Sequence, residues 1–132
     1  MLRTIFLFCF ILFVSCESTQ TISPPLNGKS FTAVDAHKVL VLQSGSIFQV
    51  SMPSNPSTGF SWVVDIENPE IVQMLSKSYV ANKSGRMGVG GDTRWVFQAD
   101  GVGKSNITFS YQRQWEKEVK PSRVVTFKLD VR

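Results

Sequence analysis

The sequence predicts an all-β fold, an antiparallel β-sandwich of six to eight short strands, and three observations predict it. From Val39 onward apolar residues recur at every second position rather than every 3.6, the spacing of strands with one buried face. Clusters rich in Gly, Pro, Asn and Asp interrupt those runs at short intervals, as turns between strands do. Only one segment, Glu70 to Ser76, has spacing that suits a helical turn, and a strand fits it equally well. Strands of this kind bury their apolar faces against a second sheet, which makes a sandwich the natural closure.

The segments before the first strand are of a different kind. Met1 to Thr4 carries one positive charge, Ile5 to Val14 is an unbroken apolar run, and small Ser15-Cys16 precede polar Glu17 to Gln20. That is the plan of a secretory signal peptide over residues 1–16, and the run is too short to span a bilayer. Phe13-Val14-Ser15-Cys16 also loosely resembles a lipobox, whose processing leaves a lipid on Cys16; simple secretion, to the outside or to endosomal or lysosomal vesicles, ranks first. Residues 17–29, with Pro24-Pro25 and Asn27-Gly28, read as an extended lead-in. The domain is expected over residues 30–132.

Within it, Val39-Leu40-Val41-Leu42 is a compact apolar strand ended by Ser44-Gly45. Five alternating runs follow, with Phe48, Val50 and Met52; Trp62, Val64 and Ile66; Trp95, Phe97 and Ala99; Ile107, Phe109 and Tyr111; and Val125, Phe127, Leu129 and Val131 facing inward. Pro53 to Gly59, Asn68-Pro69, Asn82 to Asp92, Asp100 to Gly103 and Gln114 to Ser122 separate them.

Composition narrows the function. Both cysteines, Cys9 and Cys16, lie in the leader, and His37 is the single histidine. A Cys nucleophile, a Cys/His metal site and a disulfide framework are therefore excluded from the domain, and no cofactor is expected. Asp65, Glu67, Glu70 and Asp92 show no paired spacing and sit where turns place solvated charge, so the chain does not read as an enzyme. The whole chain has 14 Lys+Arg against 10 Asp+Glu. Its basic residues are scattered, which favours acidic partners by steering but lacks the stripe of a nucleic-acid binder. Asn82-Lys83-Ser84 and Asn106-Ile107-Thr108 are glycosylation sequons, with meaning only in a secreting cell that glycosylates.

Three connecting segments carry more than a turn requires. In Asn55-Pro56-Ser57-Thr58-Gly59-Phe60, Pro56 restricts itself and Asn55, Gly59 permits a positive φ, and Ser57 and Thr58 form a stiff tip. Gly85 to Asp92 holds four glycines, which suit close approach of the backbone to a partner, or simple mobility. A phosphate loop is ruled out, because a strand and not a helix follows. In Tyr111 to Glu116, Trp115 stands in polar company beside Arg113, the composition of an interface anchor; the bland alternative folds Trp115 back as a lid on the core.

Taken together, Asn55-Pro56-Ser57-Thr58-Gly59-Phe60, Gly88-Val89-Gly90-Gly91 and Arg113-Gln114-Trp115 resemble, in order, the three loops of the chagasin-type inhibitors of cysteine peptidases. The resemblance covers the chain from about Phe31 onward. It implies an immunoglobulin-like antiparallel β-sandwich of seven to eight strands. It also implies reversible, non-covalent inhibition of papain-like cysteine peptidases, such as papain and cathepsin L-like enzymes, by a monomer. By the same resemblance, Ser57-Thr58-Gly59 enters at the catalytic Cys and His of the target. Gly88 to Gly91 runs along one side of the cleft, and Arg113 and Trp115 pack on the other. Ser57 stands where the family has Thr, and Gln114 where it has Pro, which implies a less rigid third loop. The competing readings are a secreted immunoglobulin-like adhesion module and a carbohydrate-binding sandwich. Inward parity of Trp62 and Trp95 leaves the latter only Trp115 as a platform.

Overall fold

A computed structural model describes residues 28–84, 86 and 88–132, and in it the period-two pattern becomes burial at alternate positions. The expected leader at 1–16 and the lead-in as far as residue 27 lie outside the described residues. Among the described residues there are eight strands: β1 (Lys29–Thr32), β2 (Val39–Leu42), β3 (Ile47–Ser54), β4 (Ser61–Ile66), β5 (Val72–Ala81), β6 (Gly91–Ala99), β7 (Gly103–Gln112) and β8 (Arg123–Val131). They form two four-stranded sheets, ordered β1-β3-β6-β5 and β2-β8-β7-β4. The expected all-β sandwich is what the chain adopts.

The core lies between the sheets. Phe48, Val50 and Met52 of β3, Trp95, Phe97 and Ala99 of β6, Ile107 and Phe109 of β7, and Phe127, Leu129 and Val131 of β8 are buried there. Each such large side chain contributes roughly 1.5–3 kcal/mol by leaving water. Aromatic edges interlock across the layer: Phe109 meets Trp95, Phe97 and Phe127 with ring centroids 4.9, 6.1 and 5.6 Å apart, in the edge-on geometry that ring quadrupoles favour.

The structure departs from expectation in four places. The ladders are not all antiparallel: β1 pairs with β3, and β2 with β8, in parallel. The chain passes from one sheet to the other between β1 and β2 through a 3-10 turn, Ala33–His37, so neither strand reaches its partner by a hairpin, and only hairpins impose antiparallel pairing. Both β1 and this turn escape sequence reading because four polar-flanked residues carry too little alternation. Third, Pro53 and Ser54 prolong β3 into the supposed turn. Proline is tolerated because β1 covers only Phe48 to Ser51, leaving that edge of β3 without a partner. Fourth, the ambiguous segment is a strand from Val72, and it runs on to Ala81. A bulge between Met74 and Ser76 resets its register, so that Lys77 shares a face with Trp95 and its ammonium lies 6.0 Å from that ring. As an outer strand β5 is exposed along most of its length, which hides the expected alternation.

Candidate functional site

The register of the ladders decides which connections are neighbours. Ser54 ends β3 opposite Gly91, and Gly91 begins β6 opposite Ala81, the last residue of β5. In the other sheet Ser61 begins β4 opposite Gln112, and Tyr111 faces Arg123 at the start of β8. The β3–β4, β5–β6 and β7–β8 connections therefore leave the sandwich at one end. They contain the three segments singled out in the sequence.

The β3–β4 loop is braced from inside. Asn55 accepts hydrogen bonds at its side-chain oxygen from the Ser57 N–H (3.3 Å) and the Ser57 hydroxyl (2.6 Å). Its backbone carbonyl accepts from the Thr58 N–H at 3.2 Å and the Thr58 hydroxyl at 2.7 Å. Pro56–Thr58 is thereby wound into a 3-10 turn, with Pro56 at the first position, where a missing N–H costs nothing. Gly59 closes it at φ +78°, a left-handed conformation that a side chain would strain. Ser57 and Thr58 stand exposed at the tip.

The glycine-rich segment is fastened to this loop. The Asn55 side-chain N–H donates to the Gly88 carbonyl at 3.1 Å, and the Asn82 N–H donates to the Gly90 carbonyl at 3.3 Å. A methyl group on Gly90 would approach the Ser54 carbonyl to 2.6 Å, and one on Gly91 would collide with the Val80 carbonyl. What these two glycines permit is close approach of the chain's own neighbouring strands. Between them and Gly88, Val89 projects into solvent.

In the β7–β8 connection, the Glu116 N–H donates to the Arg113 carbonyl at 3.1 Å and the Val119 N–H to the Glu116 carbonyl at 3.3 Å, two successive turns. Arg113 pairs with the Glu116 carboxylate at 3.2 Å, and its guanidinium lies 4.6 Å from the Phe60 ring. Phe60 stacks on Tyr111 at 5.4 Å, and Tyr111 meets Trp62 at 4.8 Å. The Tyr111 hydroxyl accepts from the Asn55 N–H at 3.1 Å. Gln114 is exposed, and Trp115 is 67% exposed. Trp115 is thus no lid on the core; its ring rests where a Gly59 side chain would be.

All thirteen residues singled out in the sequence, Asn55 to Phe60, Gly88 to Gly91 and Arg113 to Trp115, fall in one continuous ridge. Contacts are direct between the first loop and each of the others. Sequence reasoning missed two braces. Tyr111 has the inward parity of β7 but ends in a hydroxyl that reaches Asn55, and Glu116 follows Arg113 at a turn's spacing. The ion pair and the Arg113–Phe60 stack brace the loop beside Gln114, each exposed enough to contribute on the order of 0.5–1 kcal/mol.

No group of three or more His, Cys, Asp or Glu gathers among the described residues, and no helix among them is long and apolar enough to cross a membrane. What the ridge offers chemically is a rigid backbone surface, two hydroxyls and one exposed indole.

Comparison with known proteins gives the family. The profile of the chagasin family of peptidase inhibitors, I42, matches residues 41–131. Amoebiasin-2 of Entamoeba histolytica is 28% identical over 127 residues, which cover 93% of this chain and 98% of that protein. Chagasin of Trypanosoma cruzi is 28% identical over 80 residues, 58% of this chain and 73% of its own. In fold, the chain superposes on the crystal structure of the cysteine protease inhibitor EhICP2 from Entamoeba histolytica. The TM-score is 0.70 at 21% identity, over 79% of this chain and 94% of that one. The profile runs from within β2 to the end of β8 and takes in all three loops, and on that match the chain belongs to the chagasin family of peptidase inhibitors, a family of inhibitors and not of enzymes.

Proposed function

We propose that this chain, an inhibitor of cysteine peptidases by its family, blocks papain-like enzymes by seating its three-loop ridge in the active-site cleft. The observation that carries the reading is the mutual bracing of the loops through Asn55, which holds Gly88, Ser57 and Tyr111 at once. A ridge ordered before docking loses little entropy on binding. Ser57, Thr58 and Gly59 form its leading point toward the catalytic Cys and His. Gly88 to Gly91 offers backbone hydrogen-bonding groups along one wall of the cleft, a mode that needs no side-chain match and so tolerates several targets. Trp115, already exposed, anchors the other wall beside Arg113. Residues 17–132 hold no thiol, so occupancy is reversible and non-covalent. The signal-peptide pattern over residues 1–16 supports action in the secretory pathway or its vesicles, and the chain acts there as a monomer. The wedge backbone is held out of register for attack and is not readily cleaved.

Titration against papain at low enzyme concentration tests the proposal. Stoichiometric, reversible loss of activity is expected, with the Thr58–Gly59 bond intact by mass after prolonged incubation. No inhibition at micromolar concentration excludes the function, and rapid cleavage at that bond makes the chain a substrate.

A further inference from the structure

We propose that Asn82 is an N-glycan acceptor, and that a glycan on it weakens inhibition. The inference rests on the inhibitory reading above and on passage through the secretory pathway. The chain has two sequons, and the fold separates them. Asn82-Lys83-Ser84 lies in the β5–β6 connection, with all three residues exposed. The Asn82 side-chain oxygen accepts from the Ser84 N–H at 3.2 Å, which turns the amide nitrogen away from that bond. Asn106-Ile107-Thr108 lies inside β7, between β4 and β8. There Ile107 is fully buried, and the Thr108 hydroxyl is 3.2 Å from that of Thr126. The Asn106 N–H donates to the Glu67 carboxylate at 3.0 Å, and its carbonyl accepts from the Glu67 N–H at 3.0 Å. A glycan is bulky and hydrated, and the exposed connection has room for it where the laced central strand has little.

The modification needs a lipid-diphosphate-linked oligosaccharide as donor. The Asn82 amide nitrogen forms a bond to the anomeric carbon of the sugar and gives up a proton, and the carbon–oxygen bond to the diphosphate breaks, releasing the lipid diphosphate. The consequence for binding follows from position. Asn82 is the direct backbone partner of Gly90, so the sugar leaves the chain across from the segment that is to lie on the peptidase. Gly88, Gly90 and Gly91 hold the partner close to the backbone there, and the one side chain among them, Val89, is too short to set it back past a neighbouring glycan.

The full chain is expressed through the secretory pathway of a glycosylating yeast and, separately, in bacteria, and the products are weighed intact. The yeast product is expected to carry a single glycan, absent from Asn82→Gln and kept by Asn106→Gln. Papain inhibition by it is expected to be weaker by about tenfold or more than that of the bacterial product, and endoglycosidase trimming is expected to restore it. A chain without a glycan, or with one on Asn106, overturns the acceptor assignment. Equal inhibition before and after trimming overturns the consequence. Failure of the bacterial product to inhibit sinks the inhibitory reading instead, and the masses still decide the acceptor.

Discussion

Gly59 and Trp115 sit 56 residues apart and make one small machine. The glycine is required twice, by its φ of +78° and by the indole lying over it. Gly59→Ala is expected to displace Trp115 and strain the loop, the backbone alone by on the order of 1–3 kcal/mol. Trp115→Ala is expected to weaken papain inhibition by roughly 30- to 700-fold, the loss of a 2–4 kcal/mol anchor. Since the two act through one contact, the double variant should lose clearly less than the sum of the singles. Strict additivity in inhibition constants contradicts the coupling. The need for a glycine at 59 was legible in the sequence as a turn signal; the indole pressing on it was not, because contacts between distant residues leave no local pattern.

At the level of elements, loops rather than strands carry the consequence. Asn55→Ala removes the bonds to Gly88 and Ser57 together, while its backbone bond to Tyr111 survives. Slower association with papain and faster amide exchange at Ser57 and Thr58 are expected, with little change in melting temperature. A large fall in melting temperature instead means that Asn55 serves the fold. Tyr111→Phe separates the other half of the brace: it keeps the ring stacked on Phe60 and tilted against Trp62 but removes the hydroxyl that Asn55 reaches. Its cost is expected near 1 kcal/mol of stability, read by denaturant unfolding. Six strands were legible because each buries a complete alternating face. The short β1 and the outer half of β5 were not. One is too brief for a period, and the other owes its place to pairing with β6 and not to burial.

For the molecule as a whole, the sandwich is a two-ended object. One end carries the ridge. At the other, the Gly45 N–H donates to the Ala99 carbonyl at 2.6 Å, the Asp100 N–H to the Ile71 carbonyl at 2.8 Å and the Arg132 N–H to the Leu42 carbonyl at 2.9 Å. The core between them takes the load of stability. Phe109→Ala is expected to cost about 3–5 kcal/mol and to lower the melting temperature by roughly 12 °C or more, as calorimetry reads it. Well below that temperature the inhibition constant should hardly move, since the ring partners of Phe109, namely Trp95, Phe97 and Phe127, lie in strands and not in the three loops. A large loss of affinity at full folding means that the core transmits to the ridge. The open side of β5 has a consequence of another sort, for colloidal behaviour. Among the described residues β5 is an outer strand with no neighbour on one side, and that edge, with exposed Met74, Leu75, Tyr79 and Val80, is a template on which another copy's strand can nucleate. The bulge after Met74 and the charge of Lys77 act as gatekeepers of that edge. Concentrated Lys77→Val protein should therefore cloud and bind thioflavin sooner than the parent, and unchanged lag times mean that the bulge alone is guard enough.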